Sequence, residues 1–408
     1  MSVRDVPLGR LSALLLALAA GLAGGAGLGF VTQRTPPAER PTPVPQALTP
    51  AVIPERVRPV RPDTLLAWTP GGLPPAFGER VGRLRGVDHV VTVMSGTAWL
   101  TASFDAEGEA VDRPPRGMGI PLEVAGAALG DYAPFLPPAD RPLLARLARG
   151  EALLGATSAR LRGLGAGATL VFGSRRVRVA GVVADTAIGA NEVFVSRETA
   201  AALGVRRERY LLIDPGPRTG RRPLVGRVRR LLPPGALLRV RGPGETPYFR
   251  HGDAVLPPVV LKELFGEFAG CPASGGLIRV DPAWERRHIA TRPVPVLGRV
   301  RCHRALFPLL RGALGEVEAA GLASLVDPRQ YGGCYVPRFL NFDPEAGLSH
   351  HAWGVAIDLN ALSNVYGRTP RQDPRIVAIF ERWGFTWGGR WLLPDGMHFE
   401  FIRFPAGS

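Results

Sequence analysis

The segment SHHAWGVAIDLN, residues 349–360, sets Ser349, His351, Gly354, Ala356 and Asp358 in the order S-x-H-x-x-G-x-A-x-D. His398 follows Asp358 by 40 residues, in the stretch PDGMHFEFIRF that also carries Asp395 and Glu400. Two imidazoles and one carboxylate can hold a catalytic zinc ion and leave a coordination position open, whereas a structural site closes all four. Such an ion lowers the pKa of a bound water and polarises a carbonyl. A general base must then lie within reach of that water. Asp395, three residues before His398, is the candidate, although Pro-Asp-Gly suits an ordinary turn equally well. The four remaining histidines, His89, His251, His288 and His303, lack such company and read as packed or surface residues.

Positioning these groups requires two strands. Val355 to Leu359 alternates, which puts Ala356 and Asp358 on one face. Around His398 the alternation places His398 and Glu400 on one face and Met397, Phe399 and Phe401 on the other. If the strands pair, Asp358 and His398 converge, and His351 enters from the loop before the first strand. Glu400 reads either as an acceptor orienting His398 or as a solvated strand acid. His350 would point away from the site on an extended backbone.

These residues resemble the VanY-type zinc metallopeptidases, the D-alanyl-D-alanine carboxypeptidases and L-alanyl-D-glutamate peptidases of peptidoglycan. The likeness rests on Ser349 to Asp358, on Trp387-Gly388-Gly389-Arg390-Trp391 and on the Asp395/His398 pair, and extends upstream to GGCYVPR. It implies an α+β zinc peptidase domain over residues 250–408, with a small antiparallel sheet of the hedgehog/D-Ala-D-Ala peptidase kind. His351, Asp358 and His398 match the zinc ligands and Asp395 the catalytic acid/base. Arg338 matches an arginine that steadies the substrate carbonyl or oxyanion, where a fixed donor is needed. Ser349 and Trp391 join Arg338 as implied substrate contacts, Trp387 and Trp391 reading also as cleft walls or core. The Asp at the base position favours the L-alanyl-D-glutamate branch. The expected activity is hydrolysis of a stem-peptide amide in the cell wall, with D-Ala-D-Ala carboxypeptidase as runner-up. From another class, an inactive wall-binding module or an extracytoplasmic scaffold remains open.

The rest of the 408 residues must deliver this domain to its substrate. After a short cytoplasmic region, residues 1–10, the uncharged residues 11–33 read as a signal anchor or signal peptide. Residues 34–83 read as a Pro-rich spacer. The expected location is therefore the membrane, single-pass with the catalytic domain outside, or the cell wall if the segment is cleaved. Residues 84–240 read as a separate mixed α+β domain. Strands are expected over 87–104 and 168–183, and helical spacing over 141–165. Within it, residues 150–185 loosely resemble the extracytoplasmic core domain of macrolide-exporter permeases, which implies a domain shape at most; an unrelated spacer is the other reading.

Charge is concentrated in this middle region. Of 50 basic residues all but Lys262 are Arg, and Arg160 to Arg250 holds 18 Arg against six acids. A basic face suits anionic lipid or wall polymer; with no aromatic interleaving or recognition motif, nucleic acid is not expected as a partner. In an oxidising compartment, Cys302 and Cys334 bracket the approach to Arg338 and are expected to pair, leaving Cys271 as the odd thiol; three buried free thiols are the alternative.

Overall fold

The structure, a computed structural model, describes residues 63–405. The apolar run 11–33 lies outside the described residues; among those described, no helix is long and apolar enough to cross a membrane.

The first region is built on one ten-stranded sheet of order β10-β1-β9-β2-β4-β8-β5-β7-β6-β3. Its strands are β1 (Leu65–Trp68), β2 (Val87–Leu100), β3 (Ala102–Phe104), β4 (Ile120–Ala127), β5 (Ala152–Gly155), β6 (Thr169–Phe172), β7 (Arg175–Val183), β8 (Val193–Ser196), β9 (Glu208–Pro215) and β10 (Arg239–Arg241). β2 continues past Thr101 into β3, which pairs with β6 at the far edge. One run of chain thus belongs to the centre and to the edge, and the sheet curls over a core that includes Leu100, Leu122, Leu154 and Leu170.

Two expectations need correction. Residues 64–83 are not spacer: they form β1 and helix α1 (Phe77–Gly82), with Leu66, Ala67, Phe77 and Val81 fully buried. Within 141–165, Ala152–Gly155 is a strand rather than helix, because all four residues are enclosed between β7 and β8. Helix α2 (Ala156–Arg162) follows directly.

The C-terminal region holds the β11–β12 hairpin (Gly270–Pro272, Ile278–Val280), the β13–β14 hairpin (Ile289–Val294, Gly298–His303) and the three-stranded sheet β15-β17-β16 (Ala356–Asp358, His398–Phe401, Phe385–Trp387). The last is antiparallel throughout. Helices Phe307–Ala319 and Pro374–Arg382 supply Leu310, Leu314, Ile376 and Phe380 to the core beneath it. Mixed α+β architecture is what the sequence pattern called for.

The two regions are joined tightly. Gly119 and Gly270 exchange both backbone hydrogen bonds at 2.8 Å. Lys262, on the helix Pro258–Phe265, reaches across to Glu192 Oε1 and Oε2 at 2.9 and 2.7 Å and to the Pro121 carbonyl at 2.5 Å. Arg162 from α2 forks onto Glu267. Lys262, Glu192 and Arg162 are all buried, and an ammonium fits where three acceptors converge on one point better than a planar guanidinium would. Lys262→Ala would leave the buried Glu192 with Arg162 at 3.4 Å and Ser158 at 3.3 Å, so it is expected to cost about 3 kcal/mol in denaturant unfolding, the lower end for a broken buried pair.

A second stability prediction concerns His303. Its Nδ1 accepts from Ala305 N at 3.2 Å, capping the turn into the helix Phe307–Ala319, and Nε2 lies 3.1 Å from the Phe265 carbonyl, to which it donates. The ring is therefore needed neutral, and burial, with His288 adding to it, pushes its pKa down to about 4. The folded value lies below the unfolded ~6.5, so this contribution is complete above ~6.5 and is lost as pH falls toward 4. His303→Asn, which keeps a cap acceptor, should flatten the dependence of unfolding free energy on pH in that window.

Candidate metal centre

β17 alternates as the sequence requires. Phe399 and Phe401 point into the core, where Phe399 packs on Phe380 and Phe401 on Phe265, while His398 and Glu400 face the other way. Asp358 stands directly opposite His398 in the β15–β17 pair, and Ala356 opposite Glu400. His351 sits on a 3-10 turn, His350–Ala352. The turn's N-cap is Ser349, whose Oγ accepts from His351 N at 3.3 Å. Ser349 is only 2% exposed and positions the histidine from behind.

One ligand atom from each of His351, Asp358 and His398 lies within 4.8 Å of the others. His351 Nε2 is 3.3 Å from Asp358 Oδ2, His398 Nδ1 is 3.1 Å from Asp358 Oδ1, and the two ring nitrogens are 3.1 Å apart. Lone pairs at that separation repel unless a proton or a cation lies between them. The outer nitrogens are already committed. His351 Nδ1 donates to the Cys334 carbonyl at 2.9 Å, and His398 Nε2 donates to Glu400 Oε2 at 3.3 Å. Each ring therefore has the tautomer that presents a free lone pair inward, the arrangement metal-binding histidines require. Without a cation, burial lowers the His351 pKa. Burial raises that of Asp358, but the two histidines outweigh it and hold the carboxyl well below its usual range. The donor set fits zinc: two imidazoles, one ionised carboxylate and, among the described residues, no fourth protein ligand.

Glu400 is not a solvated strand acid. It is 1% exposed, and it accepts from Val255 N at 3.2 Å and lies 2.9 Å from His350 Nδ1. His350 is likewise buried behind the site, because the 3-10 turn swings it toward Glu400 where an extended backbone would have turned it away.

Asp395 is held at its turn by its own N–H, which donates to the Gly388 carbonyl at 2.9 Å, and by Trp387 Nε1, which donates to the Gly396 carbonyl at 2.8 Å. Gly388 lies against both functional residues: a Cβ there would stand 3.1 Å from the Asp395 Cβ and 3.3 Å from that of His398. The W-G-G-x-W stretch thus braces the Asp395 turn. Asp395 Oδ1 is buried without a hydrogen-bond partner. Burial, reinforced by Asp358 and Glu400 and opposed by His398 and Arg338, pushes its pKa up to about 6. Trp391 walls this side, its ring 5.1 Å from that of His398.

Arg338 completes the arrangement. Its guanidinium lies 5.1 Å from the centre of the Phe342 ring, and burial lowers its pKa while the charges of Asp358 and Asp395 raise it. Phe342 and Asn341 both have positive φ, 57° and 52°, and the following Asp343 and Glu345 are clamped by Arg207 from the middle region at 2.6 and 2.5 Å. Cys302 and Cys334 are disulfide-bonded and Cys271 is free. The bond anchors the residue whose carbonyl orients His351.

Residues 343–401 match an M15 peptidase family described as D-alanyl-D-alanine carboxypeptidase, and the likeness to VanY-type enzymes holds over that stretch. The match includes the His-Asp-His set and Asp395 and excludes Arg338. No curated protein matches the sequence. Among solved structures, the periplasmic region of MacB from Actinobacillus actinomycetemcomitans is similar at 12% identity and a TM-score of 0.33, covering 47% of this chain and 93% of that one. The extracellular domain of the noncanonic ABC-type transporter YknZ from Gram-positive bacteria is similar at 13% identity and a TM-score of 0.29, covering 42% and 92%.

Proposed function

We propose that the chain is a zinc-dependent peptidase that hydrolyses an amide bond of the peptidoglycan stem peptide. The observation that carries this reading is the inward-facing His351–Asp358–His398 set beside a buried, unpartnered Asp395 oxygen. A wall-binding module needs no such group, which disfavours the inactive alternative. When bound, zinc supplies Lewis acidity toward water and the scissile carbonyl. His351 and His398 would hold the ion through nitrogens whose tautomers are set by Cys334 and Glu400. Asp395 takes the proton from the attacking water and passes it to the leaving amine, a role that its raised pKa suits. Arg338 is the fixed cation for the oxygen on which charge develops, and Trp391 shields that face from water.

Export through the run 11–33, with the Pro-rich residues after it as a spacer, would place this domain at the wall, tethered to the membrane or released into the wall if the run is cleaved. Two bonds compete as the target. The matched family is described as a carboxypeptidase, while an Asp at the base position favours the L-alanyl-D-glutamate bond. Mass spectrometry of muropeptides treated with the zinc-loaded chain separates them: release of one D-alanine marks the first and a cut after L-alanine the second. Stem peptides returned intact would defeat both.

A further inference from the structure

The arginines of the middle region are not equivalent once folded; Arg175, Arg176 and Arg178, for example, stand exposed on β7. Those facing the peptidase region are consumed by acids: Arg162 by Glu267, Arg207 by Asp343 and Glu345, Arg241 by Asp253, and Arg250 by Glu123. The outer layer over β1 and β9 is different. It consists of α1 and helix α3 (Arg221–Arg230), whose buried residues share one core cluster on the sheet. Phe77, Val81, Leu224 and Val228 pack there on Leu65, Ala67, Leu211 and Ile213. Arg227 Nη2 donates to the Arg85 carbonyl at 3.0 Å, which joins the two helices at the surface.

This layer carries every arginine from Arg80 to Arg85 and from Arg218 to Arg230, nine in all. The acids among them are Glu79, Asp88 and Glu245, with Asp63 at the start of the described chain. Among the described residues only two ion pairs form here: Arg83 with Glu79, long at 3.9 Å and largely in water, and Arg221 with Glu245. Arg222, Arg229 and Arg230 are exposed and make no ion pair within the described residues. Soon after α3 comes an exposed loop, residues 233–237, whose last residue, Leu237, is 41% exposed. A basic helix beside an exposed apolar side chain matches an interface with charged headgroups above hydrocarbon.

The position of the layer in the chain points to the same partner. β1, which the layer covers, is the first element of the described residues, and the apolar run Leu11–Val31 lies about thirty residues upstream. Even fully extended, such a spacer reaches no more than about 100 Å, so a bilayer receiving that run stays at high local concentration around this face.

We propose that the α1–α3 face is a docking surface for an anionic phospholipid bilayer, with the arginines on the phosphates and Leu237 in the headgroup boundary. The inference stands independently of the peptidase reading. Its test is hydrogen exchange on the full chain mixed with phosphatidylcholine vesicles or with vesicles containing phosphatidylglycerol. Amides of residues 221–237 should exchange about tenfold more slowly on the anionic vesicles only, and high salt should abolish the difference. The triple variant Arg222→Glu, Arg229→Glu, Arg230→Glu should lose that protection while hydrogen exchange in the core strands stays unchanged. Equal exchange on both vesicle types overturns the proposal. So does protection by a soluble anionic wall polymer without protection by vesicles, which would give the face to the wall.

Discussion

His398→Ala is expected to abolish stoichiometric zinc binding by the full chain. The replacement removes one of three ligand groups and leaves His351 Nε2 and Asp358 with a geometry that no longer closes on an ion. Its magnitude can be bounded from the residue behind it. Changing an acceptor that orients a metal-bound histidine costs roughly 10–100-fold in affinity; Glu400→Gln should therefore fall in that range, and loss of the ligand itself must exceed it. Equilibrium dialysis against zinc, read by metal analysis, tests both variants. Retention of full zinc occupancy by His398→Ala would remove this residue from the centre.

Asp395→Asn should separate metal binding from turnover. The amide is nearly isosteric, and Gly388 and Trp387 hold the turn through backbone groups that the change leaves alone. Zinc content should therefore stay at the wild-type level. Turnover should fall by about 10²–10⁴-fold, the usual worth of a positioned general base. Near-normal turnover would return Asp395 to the role of an ordinary Pro-Asp-Gly turn residue.

Much of this centre was legible because it obeys short-range rules. The period-two pattern of HFEF separates His398 and Glu400 from Phe399 and Phe401 with no knowledge of the fold, and the observed register opposes Asp358 to His398. What could not be read is whatever depends on distant covering groups. Alternation places Glu400 beside His398 but cannot reveal that Val255 N and His350 close over it. The motif position of Ser349 says nothing of its burial or of the 3-10 turn that it caps.

The fold shows the same division. The strands over 87–104 and the hairpin turning at Gly173-Ser174 follow from local pattern. β1 and α1 were hidden among prolines, since Pro74 and Pro75 resemble the spacer before them. β5 is four buried residues whose apolar run fits a helix equally well. The joint between the regions left no mark either, because ion pairs such as Lys262–Glu192, 70 residues apart, have no sequence signature. The lone lysine in an arginine-rich chain was the nearest thing to a clue.

The central claim is that one zinc ion, held by His351, Asp358 and His398, makes this chain a stem-peptide hydrolase. Metal-stripped full chain should leave a soluble stem-peptide substrate intact, and titration with zinc should restore amide cleavage in proportion, saturating at about one ion per chain. Cleavage that persists after stripping, or its absence at full zinc occupancy, would contradict the account.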